Sequence, residues 1–106
     1  MPVNQLAITG TVLRHPRSRE NPAGIALTSF TLEHRSRQCE AGLQRDVFCR
    51  IVVMACGREL VPMAQSLRQG ESIYVAGFLG QQNYRTGEAR LVLHAHSIDR
   101  PSDAQY

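Results

Sequence analysis

The stretch from Ile25 to Cys56 constrains the fold of this chain most, because it predicts two long β-strands joined by a short turn. Apolar and polar residues alternate on both sides of Glu40-Ala41-Gly42, a run whose small and polar residues are typical of a turn. A half-buried strand has this two-residue period because it turns one face to the core and the other to solvent. The residues on the solvent face therefore indicate what the sheet contacts.

The second strand of this hairpin brings an aromatic residue and an arginine to one face. Between Val47 and Val53 every second residue is apolar, which leaves Phe48 and Arg50 together on the opposite face. An exposed aromatic ring beside guanidinium groups is typical of a surface that stacks nucleic-acid bases and binds phosphates. The alternation alone fits equally a strand buried on both faces, in which Phe48 belongs to the core. The apolar face comprises Val47, Cys49, Ile51 and Val53.

The length and composition indicate one folded domain. With 106 residues the chain has room for one core, expected at about residues 5–99 of a single domain spanning 1–106, with a short polar tail. The hydrophobic fraction of 42% and charged fraction of 20% are those of a soluble globular protein. No apolar run approaches the roughly 18 residues that cross a bilayer, and MPVNQLAITG does not resemble a signal peptide. We therefore expect a cytoplasmic protein without membrane association.

The three cysteines are expected to be free thiols, because their number is odd and they lack the paired spacing of a zinc site. His34 and the cysteines together offer four potential metal ligands, but Cys49 falls on the apolar face of its strand, where a small buried side chain is expected. His94 and His96 alternate on the last predicted strand and are interpreted as its outer face rather than as a metal site. The sequence therefore predicts no metal and no cofactor.

All twelve basic residues are arginines, and the net charge is +3. An excess of positive charge favours an acidic partner, and arginine both forks onto phosphates and stacks on bases. A genome that prefers arginine codons would give the same composition without any role in binding. The positions of the arginines therefore matter more than their number.

The N-terminal half predicts three strands and a basic loop. A first strand runs from Leu6 to Leu13, and Gly10 within it indicates a bulge or a close approach of two backbones. Residues 14–24 are rich in proline, glycine and arginine and predict a surface loop. The two strands of the hairpin are expected at about 25–34 and 44–55.

The C-terminal half predicts one helix and two more strands. Leu60, Ala64 and Leu67 recur at helical spacing, so a short helix is expected to begin near Pro62. A fourth strand at 71–79 and a fifth at 91–98 flank a polar, glycine-bounded loop. In these strands the residues expected to be buried are Ile73, Val75, Leu79, Leu91, Leu93 and Ala95, whereas Tyr74 and Phe78 are expected on the outer side.

Five strands with one short helix between the third and the fourth form the element order of an OB-fold, so the predicted fold is an all-β, five-stranded OB-fold barrel. This fold binds oligonucleotides on strands 2 and 3 and through the loops that join strands 1 to 2 and 4 to 5. The arginines gather in those places, diluted by a few acidic residues. They are Arg14, Arg17 and Arg19 in the first loop, Arg35, Arg37, Arg45 and Arg50 on the hairpin, and Arg85 and Arg90 in the last loop.

Several runs along the chain match a known family. They are Thr9-Gly10-Thr11-Val12, Pro22-Ala23-Gly24-Ile25, Phe30-Thr31-Leu32-Glu33-His34-Arg35-Ser36, Glu40-Ala41-Gly42, Val75-Ala76-Gly77-Phe78 and Leu91-Val92-Leu93-His94-Ala95. In these the chain resembles primosomal replication protein N, the PriB family, which is itself similar to single-stranded DNA-binding proteins. The resemblance covers about Leu6 to Ile98. It implies a homodimer paired through the first strands and sequence-independent binding of single-stranded DNA in replication restart. The partners it implies are PriA helicase and, where present, DnaT.

The family's DNA-contacting positions match this chain unevenly. Phe48 stands in place of a stacking tryptophan, and Leu43 in place of a second aromatic residue. In the last loop Asn83 replaces a basic contact, whereas Tyr84 is an additional aromatic residue. Arginines match the other basic contacts at Arg35, Arg85 and Arg90. The predicted nucleic-acid-binding residues are therefore Phe48, Arg35, Arg85, Arg90, Tyr84, Arg50, Leu43, Arg14 and Arg19.

Three functions fit these patterns. The first is a non-catalytic single-stranded DNA-binding component of the replication-restart primosome that stabilises PriA on DNA. The second is an adaptor between helicase and loader with weak DNA binding, which Leu43 and Asn83 favour. The third is a general single-stranded DNA-binding protein, which usually carries a long acidic-tipped tail that this sequence lacks. An enzyme is not expected, because the sequence has no phosphate-binding glycine loop, carboxylate pair or catalytic triad.

Overall fold

The computed structural model describes residues 2–101, so most of the predicted C-terminal tail, 102–106, lies outside the described residues. Within that range the chain forms six strands and one helix. They are β1 (Leu6–Val12), β2 (Arg17–Glu20), β3 (Ala26–Glu40), β4 (Leu43–Cys56), α1 (Val61–Gln65), β5 (Ser72–Asn83) and β6 (Ala89–Asp99).

Five of these strands close into a barrel. β1 pairs with β5, β5 with β6, β6 with β4 and β4 with β3, and β3 returns to β1. The β4–β6 pairing is parallel and joins Val52–Met54 to Val92–His94, whereas the other pairings in the barrel are antiparallel. α1 follows β4 in the chain and packs against β3 and β4. The predicted five-stranded OB-fold barrel with one short helix is confirmed.

The core is formed by the inward face of the barrel strands and closed by the helical segment. Pro62 lies in the first turn of α1, where its missing N–H is tolerated, so the predicted start of the helix is confirmed. The helix ends at Gln65, and the apolar contact continues into Leu67. The buried cluster comprises Val12, Phe30, Leu32, Val53, Ala55, Ala64, Leu67, Ile73, Val75, Leu93 and Ile98.

Gly10 lies where the backbones of β1 and β3 approach each other closely. A Cβ atom at this position would lie 2.5 Å from the carbonyl oxygen of Glu33, a distance that real Cβ atoms do not show. The predicted close approach is therefore confirmed. The register shift occurs elsewhere, in β5 between Ala76 and Gly77.

The β3–β4 hairpin is longer than the barrel requires. Its ladder runs from the pair Leu27–Cys56 to the pair Glu40–Leu43, and Ala41 and Gly42 close it with positive φ angles of 53° and 79°. Two positive φ angles are typical of the tight turns whose twist matches that of the strands. None of residues 33–50 is fully buried. They form an arm that extends roughly 25 Å beyond the core, at about 3.3 Å per residue.

One segment predicted as a loop contains a strand. β2 lies within residues 14–24, is exposed and pairs with one end of β3. The Ser18 Oγ lies 2.9 Å from the Oγ1 of Thr28, a buried residue of β3, and the Gln65 side chain donates to Ser18 Oγ at 2.9 Å. A buried hydroxyl needs a hydrogen-bond partner, and β2 supplies it. The proline and glycine content of the segment did not indicate this pairing.

Two residues predicted in the core are exposed. Cys49 is exposed, and Leu91 is 59% exposed, although each lies on the same strand face as buried or partly buried residues further along its strand. Both lie beyond the end of the barrel, because β4 and β6 pair only from Val52 and Val92 onward. Alternation identifies the face of a strand but not how far the core extends along it. The burial of Cys49 and Leu91 was therefore predicted wrongly.

We expect Leu32→Ala to lower the free energy of unfolding by about 2–5 kcal/mol, because this fully buried side chain leaves a cavity when it is truncated. Urea unfolding followed by circular dichroism measures the change. Leu43→Ala is the matched control, since Leu43 is exposed and the same substitution there should cost less than about 0.5 kcal/mol. Equal losses in the two variants would contradict the assigned limits of the core.

An ion pair joins Arg100, the residue after β6, to Glu71, the residue before β5. Arg100 Nε donates to the Glu71 carboxylate, and the Arg68 backbone N–H donates to the same group at 3.0 Å. The hydrogen bond from Arg100 outweighs the opposing effect of burial and holds the pKa of Glu71 below its ordinary value of 4.5. A carboxyl with a depressed folded-state pKa stabilises the fold above its unfolded-state pKa, and this contribution is lost as the pH falls through the folded-state value.

Glu71→Gln should therefore unfold at a lower temperature than the parent chain at about pH 7, and this difference should shrink as the pH falls below about 4.5. Thermal unfolding of both chains across this pH range measures it. A difference that stays constant into acid would show that the carboxylate charge is not what stabilises this contact.

Candidate nucleic-acid interface

The register of the β3–β4 ladder decides which side chains share a face of the arm. Glu33 pairs with Arg50 and Arg35 pairs with Phe48, and directly opposed residues of an antiparallel ladder point to the same side. We call this outer face of the arm the platform. Its members are Glu33, Arg35 and Arg37 on β3 and Asp46, Phe48 and Arg50 on β4.

Phe48 is the exposed aromatic residue of the platform. Phe48 is 49% exposed, so the alternative that it belongs to the core is wrong. The Arg35 Cζ lies 4.5 Å from the ring centroid and the Arg50 Cζ lies 5.6 Å from it. Both distances are within the range of cation–π attraction. The arm thus presents an aromatic ring together with two guanidinium groups. Of the two alternatives that the alternation leaves open, the exposed Phe48 beside Arg50 is the correct one.

Leu43 lies on the opposite face of the arm. It pairs with Glu40 at the tip and is 69% exposed, and the neighbouring pair on that face is Gln38 with Arg45. Arg45 forms an ion pair with Glu40. Leu43 and Phe48 therefore do not form one stacking surface, although the sequence places them on the same hairpin.

The arginines of the platform are ion-paired. Arg50 Nε donates to the Glu33 Oε2 at 2.9 Å, and the Arg35 Nε lies 3.8 Å from the Glu33 Oε1. The Arg37 Nε lies 3.2 Å from the Asp46 Oδ1. The three arginines and two carboxylates leave the platform with a net charge of only +1. Its arginines are mostly exposed, and exposed ion pairs of this kind are weak in water and screened by salt.

Glu33 is a residue of the candidate site that reasoning from the sequence missed. It contacts both arginines that flank Phe48, yet in the sequence it is only one polar residue of an alternating strand. A signal for its position exists in the turn. If Ala41 and Gly42 are recognised as a two-residue turn, counting outward from the pair Glu40–Leu43 places Glu33 opposite Arg50.

A groove of about 670 Å³ adjoins the platform. It lies where β4 and β6 separate, beyond the short stretch in which they pair. Three arginines and a set of partly exposed apolar residues line it, and Arg50 belongs to both the groove and the platform. The lining comprises Leu13, Arg14, Thr31, Cys49, Arg50, Ile51, Val52, Arg90 and Leu91.

The turn between β5 and β6 adds a second aromatic–arginine pair beside the groove. The Arg90 Cζ lies 5.5 Å from the centroid of the Tyr84 ring, and the Arg90 Nη2 lies 3.3 Å from the Glu88 Oε2. The Tyr84 N–H donates to the Glu88 carbonyl at 2.9 Å, which closes the turn that contains Arg85. Tyr84 is therefore connected through Arg90 to the groove, and Arg85 follows it in an exposed position.

The structure brings together most of the predicted binding residues. Arg14, Arg50 and Arg90 meet at the groove, and Arg50 continues to Phe48 and Arg35 on the platform. Arg19 is an exception, because it lies on β2 opposite Leu27, at the end of β3 away from the arm. Leu43 is a second exception, on the opposite face of the arm, and Arg85 is exposed in the β5–β6 turn without lining the groove.

Residues 2–101 contain neither a metal-binding cluster nor a membrane-spanning helix. No group of three or more histidine, cysteine, aspartate or glutamate side chains in this part of the chain could hold a metal ion. The described residues also include no helix that is long and apolar enough to cross a membrane.

Comparison with known proteins identifies the family of this chain. Residues 4–97 match the model of a family described as another single-strand binding protein family. A replication restart protein PriB from Shewanella halifaxensis is 41% identical over 99 residues, covering 93% of this chain and 97% of that protein. The corresponding protein from Photorhabdus laumondii is 42% identical over 99 residues, covering 93% and 94%. The chain belongs to the PriB family.

Membership of the PriB family confirms the resemblance found in the sequence motifs. The solved structure of PriB from Ralstonia solanacearum superposes on this chain with a TM-score of 0.79 and covers 94% of this chain and 99% of that one. Since only 21% of the residues are identical, this likeness concerns the fold. It shows that the OB-fold barrel is shared across diverged PriB sequences.

All three cysteines, Cys39, Cys49 and Cys56, are exposed free thiols. We expect a chromogenic disulfide reagent to titrate all of them in the native chain without denaturant, because no exposed thiol is shielded from the reagent. Cys49→Ser identifies the contribution of the thiol that lines the groove. If Cys49 reacted only after unfolding, the core would extend into the arm, contrary to the structure.

Proposed function

We propose that this chain binds single-stranded DNA through the platform and the groove, as a non-catalytic component of the replication-restart primosome that stabilises PriA helicase on DNA. The exposed Phe48 ring beside Arg35 and Arg50 supports this proposal most directly. The relatives' names, replication restart protein PriB, support the role in restart. A single domain over residues 1–106 and a cytoplasmic location are part of the same proposal.

The geometry favours single strands over duplex. An aromatic ring on an exposed arm can stack on a base only if that base is unstacked from its neighbours, as in a single strand. The guanidinium groups of Arg14, Arg50 and Arg90 along the groove bind phosphates, which all sequences share. Binding is therefore independent of sequence and sensitive to salt.

The affinity of one chain is modest in this proposal. The platform carries a net charge of only +1, and Leu43 offers no ring where the family has a second aromatic residue. Arg14, which lines the groove, and Arg85 have no carboxylate within 4 Å among the described residues and are free to bind phosphate. Cooperation with a second chain and with the helicase compensates for the smaller stacking surface.

A homodimer paired through β1 is consistent with the edge that β1 leaves open. β1 pairs with β5 along Leu6–Thr11 but with β3 only at Thr11 and Val12. In the described chain the other edge of Leu6–Gly10 carries one side-chain contact, between the Thr9 carbonyl and His34 Nδ1 at 2.7 Å. An open strand edge is a template for pairing with another strand. The proposed partners are thus a second copy of the chain, PriA and, where it is present, DnaT.

The proposal predicts that Phe48→Ala weakens binding to single-stranded oligonucleotides by about 1–3 kcal/mol, because one stacking contact is lost. Fluorescence anisotropy over a series of salt concentrations measures the affinity and its salt dependence. Phe78→Ala is the matched control, since Phe78 is also exposed but stacks on His94, 4.9 Å away, in the β5–β6 part of the barrel. Its affinity should equal that of the parent chain.

Equal affinity for duplex and single strands, or equal effects of the two substitutions, would contradict the proposal. The Phe48→Ala variant also separates it from the second candidate function, an adaptor between helicase and loader. The exposed Leu43 on the charge-neutralised face of the arm favours that adaptor. If the parent chain binds PriA tightly but DNA only weakly, and Phe48→Ala changes neither, the adaptor is the better description.

A further inference from the structure

Glu33 occupies a central position between the arginines of the platform. It lies at the base of the arm, opposite Arg50 on β4 and opposite Thr11 on β1. Its two carboxylate oxygens contact different arginines, Oε2 at 2.9 Å from Arg50 Nε and Oε1 at 3.8 Å from Arg35 Nε. The Glu33 side chain is only 19% exposed, whereas both arginine side chains are mostly exposed.

The two arginines are already engaged in the free protein with groups that resemble those of DNA. Each guanidinium lies near a carboxylate, an anion that accepts hydrogen bonds as a phosphate does. Each also lies near the face or edge of the Phe48 ring, at 4.5 Å for Arg35 and 5.6 Å for Arg50. A base can stack on this ring only where a guanidinium moves aside or continues the stack.

We propose that Glu33 is a built-in competitor of the DNA backbone. It holds Arg35 and Arg50 on the platform in the free protein, and a phosphate replaces it as the partner of at least one of them on binding. This inference rests on the proposed binding of single-stranded DNA. An isolated anion can compete with the Glu33 carboxylate for an arginine, but it supplies no base to cover the Phe48 ring. The carboxylate therefore makes the site favour ligands that offer a phosphate and a base together.

The charge of the platform supplies a measurable consequence. Glu33, Arg35 and Arg50 together carry a net charge of +1, which becomes +2 in Glu33→Gln while the side chain keeps its shape. When a protein cation neutralises one phosphate of a single strand, the slope of log K against log salt becomes steeper by about 0.7. Removing the competitor should therefore steepen the slope by up to about 0.7.

The test compares Glu33→Gln with the parent chain in binding a single-stranded oligonucleotide over a range of salt concentrations. We expect the variant to bind roughly three- to tenfold more tightly at low salt, with the steeper slope, and the gain to vanish at high salt. Glu40→Gln is the matched control, because it removes the same charge from the same hairpin but faces away from the platform and pairs with Arg45. It should give a smaller gain.

Three results would overturn the inference. Weaker binding by Glu33→Gln with an unchanged slope would show that the carboxylate only positions the arginines. An unchanged affinity would show that it does not compete, and an equal gain in Glu40→Gln would show a general effect of net charge. If the parent chain itself does not bind single-stranded DNA, the proposed function fails instead, and the two failures are thus distinguished.

A second measurement needs no substitution. In the parent chain, the carboxylate carbon of Glu33 and the Nε–H of Arg50 have resonances that report their ion pair by nuclear magnetic resonance. Adding the oligonucleotide should shift both, because the carboxylate loses at least one arginine. Resonances that stay in place while Phe48 responds to the DNA would show that Glu33 keeps its partners, and would overturn the inference.

Discussion

The hydrogen-bonded ladder between β3 and β4 is the interaction on which the candidate site depends. It joins the barrel to the arm in one register, from Leu27–Cys56 to Glu40–Leu43. The turn of Ala41 and Gly42 sets that register, because a two-residue turn with both φ angles positive leaves no slack between the strands. A slip of one residue would turn every side chain of one strand to the other face and would remove Phe48 from Arg35.

The arm has to hold its side chains in place without a core. No residue of 33–50 is fully buried, so backbone pairing and cross-strand contacts provide the order. Three arginines contact carboxylates across the arm, and two of them, Arg35 and Arg50, also contact Phe48. These contacts hold the side chains in place, yet they are weak enough in water to be exchanged. A ligand with phosphates and bases can therefore take over contacts that keep the free arm ordered. The groove extends this surface towards the barrel through Arg50, which belongs to both.

Much of the site follows from local patterns in the sequence. The alternation around Phe48 predicts its face, and the order of elements predicts a barrel whose binding side carries Arg14 and Arg90. The groove that these arginines line together with Arg50 is a finding of the structure. Other features depend on counting across the turn, which the run Glu40-Ala41-Gly42 leaves ambiguous by one residue. For this reason the contacts of Glu33 emerge only from the register of the ladder. The separation of Leu43 from Phe48 follows instead from alternation along β4, once the structure shows that this strand begins at Leu43.

By itself the sequence determined the number and order of the barrel strands, the position of the helix and the face on which each strand residue points. These properties depend on neighbours within a few residues, through side-chain alternation and turn chemistry. The tertiary structure alone decided where the core ends along each strand, and therefore that Cys49 and Leu91 are exposed. It also decided that β2 pairs with β3. Burial depends on which other strands lie alongside, and β4 and β6 meet only from Val52 and Val92 onward because the barrel closes there.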